Sequence, residues 1–221
     1  MKILVTGFEP FGESPLNPSQ MLVESLSEND QEGVTLIKEV LPVDQAKAPE
    51  RVVLLINQHL PDAILAFGLA MSRSKISLER VALNLQDFRI PDNKGVTVMD
   101  QPIQSEGPAA YFSTLPLQEM LTALQSKGIP AELSLSAGTY LCNLVFYTIM
   151  HNLSERPSNV LAGFVHLPAL PEQAAASAKR LTSLGFDLQL SAAKILIKTL
   201  IEVQQKNIES SITKERHEPH C

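Results

Sequence analysis

In the stretch Glu132-Leu133-Ser134-Leu135-Ser136-Ala137-Gly138-Thr139-Tyr140-Leu141-Cys142-Asn143, a strand pattern over Glu132–Ser136 runs out into small residues. From Tyr140 it gives way to apolar residues at helical spacing. A strand that feeds a helix through a short turn is the repeating unit of α/β domains. The alternation continues in both directions. Lys2–Thr6, Thr35–Leu41, Ala63–Phe67, Ile76–Leu85 and Val160–Val165 read as further strands. Asn17–Leu26, Gln45–Gln58, Pro116–Lys127, Tyr140–Leu153, Glu172–Thr182 and Leu188–Gln205 carry the helical period. Gly128 stops one helix, and Pro171 stands where a first helical turn tolerates proline. The expected architecture is α/β: a single-domain three-layer α/β/α sandwich over residues 1–205, with a mostly parallel, twisted central sheet. From Lys206 the apolar period fades, so residues 206–221 are expected to form a mobile tail.

Composition narrows the functional classes. The 221 residues are long enough to bury a sizeable core, and an apolar share of 44% with 19% charged residues is ordinary for a globular protein. A net charge of -6 with no cluster of Lys and Arg argues against a nucleic-acid partner, because neutralising a polyanion needs a concentrated positive surface. Met1-Lys2-Ile3-Leu4-Val5-Thr6-Gly7 is too short an apolar run for a signal peptide and reads as a buried first strand. Later apolar runs such as Val52–Ile56 fall below the roughly 18 residues of a membrane span. A cytoplasmic location with no membrane partner is therefore expected. Cys142 and Cys221 form no disulfide framework and lack the paired spacing of a zinc site. His217-Glu218-Pro219-His220-Cys221 lies on a flexible end that supplies too few fixed ligands for a structural metal. No metal and no cofactor are expected. Gly-x-Gly-x-x-Gly, Gly-x-x-x-x-Gly-Lys-Ser/Thr and Gly-x-Ser-x-Gly are all absent, so dinucleotide, nucleotide and serine-hydrolase readings lack their fingerprints.

Cys142 falls in the first turn of a helix, where unpaired amides and the helix dipole stabilise an anion. A backbone N–H of the same turn can donate to the oxyanion of a tetrahedral intermediate. An isolated cysteine is more often a small core hydrophobe, so the chemistry depends on a base within reach of the sulfur. Five histidines are available. His151 lies nine residues further along the same helix, about 13.5 Å away at the helical rise. His59 sits near a helix end, and His217 and His220 belong to the tail. His166 ends the strand Val160–Val165, at the carboxyl edge where open α/β sheets bind ligands, and the turn before Cys142 is expected at that same edge. Glu79 stands in the middle of the apolar run Ile76–Leu85, where an unpaired charge is costly. Glu79 and Arg80 point to opposite faces of an extended chain, and Glu79 shares its face with Val81 and Leu83. Such a carboxylate needs a cationic or donor partner, and an imidazolium at His166 would serve.

With these residues in view, the chain from Met1 to about Gln204 resembles the pyroglutamyl peptidase I (pyrrolidone-carboxylate peptidase) family of cysteine peptidases. Ile129–Asn143, ending Ser-Ala-Gly-Thr-Tyr-Leu-Cys-Asn, is similar to the family's cysteine motif, and Ile76–Asn84 to its glutamate motif. Gly-Phe-Glu-Pro-Phe-Gly at Gly7–Gly12 with Asn17-Pro18, Arg-Ile-Pro-Asp-Asn at Arg89–Asn93, and Gly-Phe-Val-His at Gly163–His166 complete the set in family order. The resemblance implies that Cys142 is the nucleophile, His166 the general base and then acid, and Glu79 the group that orients the imidazole. It implies further that Arg89 lies near the developing oxyanion, that Phe8 and Phe11 line the pyroglutamyl pocket, and that the protein forms homotetramers. Asn17 is a candidate reader of the lactam. Met71 replaces a small residue usual in the family, Ser72 a common glycine, and Asp44-Gln45-Ala46 a stretch that often carries an aromatic. These departures leave the triad intact and alter the pocket wall. The implied activity is that of a thiol exopeptidase hydrolysing the bond after an N-terminal pyroglutamyl (5-oxoproline) residue of a peptide, through a thioester. The alternative is a non-catalytic or weakly active member that binds N-terminally blocked peptides.

Overall fold

The structure, a computed structural model, describes residues 1–12, 14–27, 33–155 and 159–215, the last nine by backbone alone. Eight strands and six helices follow in chain order: β1 (Lys2–Phe8), α1 (Pro18–Ser25), β2 (Thr35–Leu41), α2 (Lys47–His59), β3 (Ala63–Leu69), β4 (Ile76–Glu79), β5 (Val81–Leu83), β6 (Ala110–Phe112), α3 (Leu117–Ser126), β7 (Ala131–Ser134), α4 (Leu141–Ser154), β8 (Leu161–Leu167), α5 (Pro171–Ala176) and α6 (Phe186–Glu215). Six strands form one sheet in the order β2-β1-β3-β8-β4-β7. β2, β1, β3 and β8 are parallel, whereas β4 pairs antiparallel with β8 and parallel with β7. The expected mostly parallel α/β sheet is therefore present.

Burial explains why the central strands lack alternation. All seven residues of β3, Ala-Ile-Leu-Ala-Phe-Gly-Leu, are buried, because helices cover both faces. Even so, the pleat sends successive side chains to opposite cores. Leu65, Phe67, Val165, Leu167, Ile76 and Leu78 join the side carrying Met120, Leu196 and Leu200 from α3 and α6. Ile64, Ala66, Ala162 and Phe164 join the other, with Val52 and Ile56 of α2 and Val145, Phe146 and Ile149 of α4. At four to seven residues per strand, each face presents only two to four positions, so both helix layers are needed to seal the sheet.

Three expectations change. Ile76–Leu85 is not one strand: β4 ends at Glu79, and Val81–Leu83 pairs antiparallel with β6 in a separate two-stranded sheet. The break falls at exposed Arg80, whose N–H donates to the Ser134 carbonyl (2.8 Å) and whose carbonyl accepts from Ser113 N–H (2.9 Å). Glu79 consequently does not share a continuous face with Val81 and Leu83. The helix expected over Glu172–Thr182 stops at Ala176, because Ser177 turns extended (φ -78°, ψ 134°) and Ala169 and Ser183 form a bridge. α6 continues past Gln205 to Glu215, so the backbone of the first part of the expected tail is helical. His217, His220 and Cys221 lie outside the described residues. Among the described residues, no helix is long and apolar enough to cross a membrane.

Candidate active site

β8 carries His166 one residue before its end, in register with Gly68 of β3 and Ser77 of β4. Side chains two apart on a strand share a face, so His166 lies beside Phe164, ring centroids 5.0 Å apart, on the side of the sheet covered by α4. Glu79, at the end of β4, reaches the imidazole from the neighbouring strand: its Oε1 lies 2.8 Å from His166 Nδ1. The carboxylate is fully buried and the imidazole nearly so, with 0% and 6% of their side-chain surfaces exposed. Water cannot screen that contact, which makes it strong and directional.

Cys142 arrives by a different route from the one the strand pattern suggests. β7 runs antiparallel to β8, and its end, Ser134, pairs with Glu79, which itself faces Phe164. The strand therefore passes the level of His166 at Glu132 and finishes two residues beyond it, towards the amino end of β8, rather than at its carboxyl edge. The loop 135–140 carries the chain back. Gly138 takes φ 78°, a left-handed conformation that strains any side chain, and its N–H donates to Ser136 Oγ at 3.1 Å. Tyr140 then begins α4 as an extended N-cap whose side chain makes no capping bond, and Cys142 lies in the first turn. The sulfur sits over Gly68: a Cβ there would lie 2.7 Å from Cys142 Sγ and 2.8 Å from the Phe164 ring. Only glycine leaves room for the thiol beside the imidazole.

With Nδ1 held by Glu79, Nε2 is the ring nitrogen left for the sulfur. Burial disfavours the imidazolium, but the charge interaction and hydrogen bond with Cys142, then those with Glu79, outweigh burial and push the His166 pKa from 6.5 up to about 9. The shift favours the charged form of the ring, held between the sulfur and the carboxylate.

Arg73 is a further member of this cluster that the spacing did not reveal. Its Nη2 donates to Glu79 Oε1 (3.3 Å), Ser134 Oγ (3.0 Å) and the Ser136 carbonyl (3.0 Å), and its Nη1 donates to Ser77 Oγ (3.2 Å). Glu79 Oε2 has no hydrogen-bond partner among the described residues. The adjacent Arg80 is exposed.

The row opens into a cavity of about 530 Å³, whose lining includes Phe11, Met71, Arg73, Arg89, Tyr140, Cys142 and His166. Tyr140 stacks edge-on to Phe88 (4.8 Å) and lies 6.1 Å from Phe11, giving an aromatic wall that the sequence reading missed. Burial, then the charges of Asp92 and Cys142, push the Tyr140 pKa up to about 12, and its hydroxyl donates to the Pro91 carbonyl at 3.1 Å. Arg89 is exposed and reaches the cavity on the segment that closes through the Gln86–Gln101 bridge. Asn93 Nδ2 donates to Glu9 Oε1 (2.9 Å) and the Pro10 carbonyl (2.9 Å), joining that segment to the loop after β1.

Two expected pocket residues do not reach the cavity. Asn17 is 1% exposed and caps α1: its Oδ1 accepts from Ser19 N (3.0 Å) and Ser19 Oγ (2.8 Å), and its Nδ2 donates to the Glu9 carbonyl (3.0 Å). Both ends of its amide are engaged within the fold and it is not part of the cavity lining. Phe8, 3% exposed, packs beneath the site with its ring 6.5 Å from that of Phe164. It backs the residue behind His166 instead of touching the cavity. Asp44 and Gln45 likewise serve the scaffold: Asp44 Oδ1 accepts from Ala46 N (3.0 Å) and Lys47 N (2.9 Å) at the start of α2, and Gln45 N donates to Asp92 Oδ2 (2.8 Å). Among the described residues, no group of three His, Cys, Asp or Glu is arranged to hold a metal.

Residues 1–203 match the family model described as pyroglutamyl peptidase. A pyrrolidone-carboxylate peptidase of Vibrio vulnificus is 43% identical over 204 residues, covering 92% of this chain and 94% of the relative. One of Coprothermobacter proteolyticus is 39% identical, covering 93% and 99%. In structure, the chain superposes on a mutant pyrrolidone carboxyl peptidase of the hyperthermophile Pyrococcus furiosus with a TM-score of 0.88 at 39% identity, covering 91% of this chain and 99% of that one. The pyroglutamyl peptidase I of Bacillus amyloliquefaciens gives a TM-score of 0.86 at 37% identity, covering 90% and 94%.

Proposed function

The chain belongs to the pyroglutamyl peptidase family, and from that membership and the geometry of the site we propose that it is a cysteine exopeptidase releasing N-terminal pyroglutamate from peptides through a thioester. The observation that carries this reading is the row of Glu79, His166 and Cys142 at the floor of an aromatic-walled cavity.

The thiolate of Cys142 attacks the pyroglutamyl carbonyl carbon, and the electron pair displaced onto oxygen is met by first-turn amides of α4 with Arg89 nearby. The tetrahedral intermediate collapses as the imidazolium of His166 gives its proton to the leaving nitrogen. The C–N bond breaks, the shortened peptide departs, and a thioester remains on a neutral imidazole. Neutral His166 then takes a proton from water as that water attacks the thioester. Expulsion of the thiolate releases pyroglutamate and restores the ion pair. Glu79 holds the ring and stabilises its charge throughout. The substrate's lactam carries no charge, which suits a cavity walled by Phe11, Met71 and Tyr140 better than an acidic amine-binding site.

A thiolate nucleophile suits a reducing cytoplasm. Homotetramer formation is the family expectation, and exposed Met99, Phe112 and Leu135 supply apolar surface for subunit contacts.

Purified protein under reducing conditions is expected to cleave pyroglutamyl-β-naphthylamide and to leave the prolyl and glutamyl analogues intact. Cys142→Ala should lower turnover by roughly three orders of magnitude or more at unchanged circular dichroism. Turnover retained by that variant would refute the assignment. Tight binding of pyroglutamyl peptides by the wild type without turnover would favour a non-catalytic binding protein instead.

A further inference from the structure

Arg73 makes contacts that neither the triad nor the cavity requires. It stands on the turn after β3, where its N–H donates to the Ala70 carbonyl (3.0 Å) and its carbonyl accepts from Thr182 Oγ1 (3.1 Å). From this fixed base one guanidinium spans two structures that must agree for the site to form. One is the carboxylate: Nη2 lies 3.3 Å from Glu79 Oε1, the same oxygen that holds His166 Nδ1. The other is the start of the loop to Cys142: the same Nη2 lies 3.0 Å from Ser134 Oγ and 3.0 Å from the Ser136 carbonyl. Ser136 Oγ in turn accepts from Gly138 N, four residues before the sulfur. A planar fork with several donors can bridge a carboxylate and a carbonyl at once, which a lysine ammonium on a flexible stem does poorly.

We propose that Arg73 is a positioning residue that locks the Glu79–His166 pair to the loop delivering Cys142, so that carboxylate, imidazole and thiol are set by one side chain. The proposal rests on the cysteine-peptidase reading of this site. Its charge acts with its geometry, because the guanidinium lies 3.3 Å from a carboxylate oxygen that is fully buried, where water screens the attraction little. The other charged groups facing this cluster are Glu132 of β7, 3.6 Å from Arg73 Nη1, and Lys75, 3.7 Å from Glu132. They sit on the outer side of Arg73 and oppose each other.

The test measures iodoacetamide alkylation of Cys142 and kcat and KM on pyroglutamyl-β-naphthylamide, each against pH, in the wild type, Arg73→Gln and Arg73→Lys. Arg73→Gln is expected to slow alkylation and kcat at neutral pH by about tenfold or more, with KM changed far less, and to move the acid limb of both profiles to higher pH. Arg73→Lys restores the charge without the fork, so its acid limb should return towards the wild type while its rate stays depressed. Wild-type rates and an unshifted acid limb in folded Arg73→Gln would overturn the proposal. Should that variant fail to fold, wild-type alkylation and kcat in Arg73→Lys would overturn it equally. A wild type that alkylates at Cys142 but leaves the pyroglutamyl substrate uncut sinks the substrate assignment alone, since the alkylation profiles still report on Arg73.

Discussion

At the scale of single residues, what matters most is how little space separates groups distant in the chain. Gly68 has no side chain, yet the sulfur of Cys142 and the ring of Phe164 occupy the volume its Cβ would fill. Gly68→Ala should displace the thiol from its line with His166. A shift of about an ångström in a reacting atom costs roughly a hundredfold in rate, whereas overpacking by one methyl costs about 1–3 kcal/mol of stability. Steady-state kinetics and urea denaturation on the same preparation check this, and an unchanged kcat would mean that the sulfur can move aside freely. Cys142, His166 and Glu79 were legible as candidates because each is a chemical anomaly in its own segment: a thiol in a helix's first turn, an imidazole at a strand end, a carboxylate in an apolar run. Arg73 and Tyr140 were not legible. An arginine after a buried strand and a tyrosine before a helix are ordinary in sequence, and only their neighbours give them roles.

At the scale of elements, α4 has to begin at one particular place, and Asn143 secures it. Fully buried, its Oδ1 accepts from Leu83 N (2.8 Å) and its Nδ2 donates to the carbonyls of Leu83 (2.9 Å) and Leu85 (3.0 Å). The residue after the nucleophile is thus tied to β5. Asn143→Ala would leave a buried N–H without its acceptor, at a cost of about 1–3 kcal/mol. It should also lower kcat by freeing the helix start. A urea midpoint equal to the wild type would show that water takes over those bonds. Elements with six or more buried residues, such as β1, β3, β8 and α4, were readable from pattern. β6 has only three residues, and the break between β4 and β5 falls at the Glu79-Arg80 pair, inside a stretch whose apolar residues resume at once with Val81. No period could mark either, because the break is held by the Arg80 N–H donating to the Ser134 carbonyl and the Arg80 carbonyl accepting from the Ser113 N–H.

At the scale of the whole molecule, the charged core of the site ties stability to pH. His166 titrates near 9 when folded against 6.5 when unfolded, so it binds its proton more tightly in the native state. Its contribution is therefore complete below about 6.5, declines as pH rises from there to about 9, and is absent above. Urea midpoints should fall across that window in the wild type, and His166→Gln should flatten the slope. An equal slope in both proteins would place the pH dependence elsewhere. The sheet that creates this environment joins distant segments: Gly68 of β3 pairs with His166 of β8, and Glu79 meets the same histidine across 87 residues. By itself, the sequence determined the α/β class, the two-sided burial of the central strands and the residues able to do thiol chemistry, because hydrophobic period and side-chain chemistry are local properties. Tertiary structure alone decided that β4 and β7 run against β8, that Asn17 and Phe8 support the scaffold instead of the cavity, and that Arg73 joins the carboxylate to the cysteine loop. Those outcomes depend on which strands become neighbours, and pairing between distant segments leaves no mark within either one.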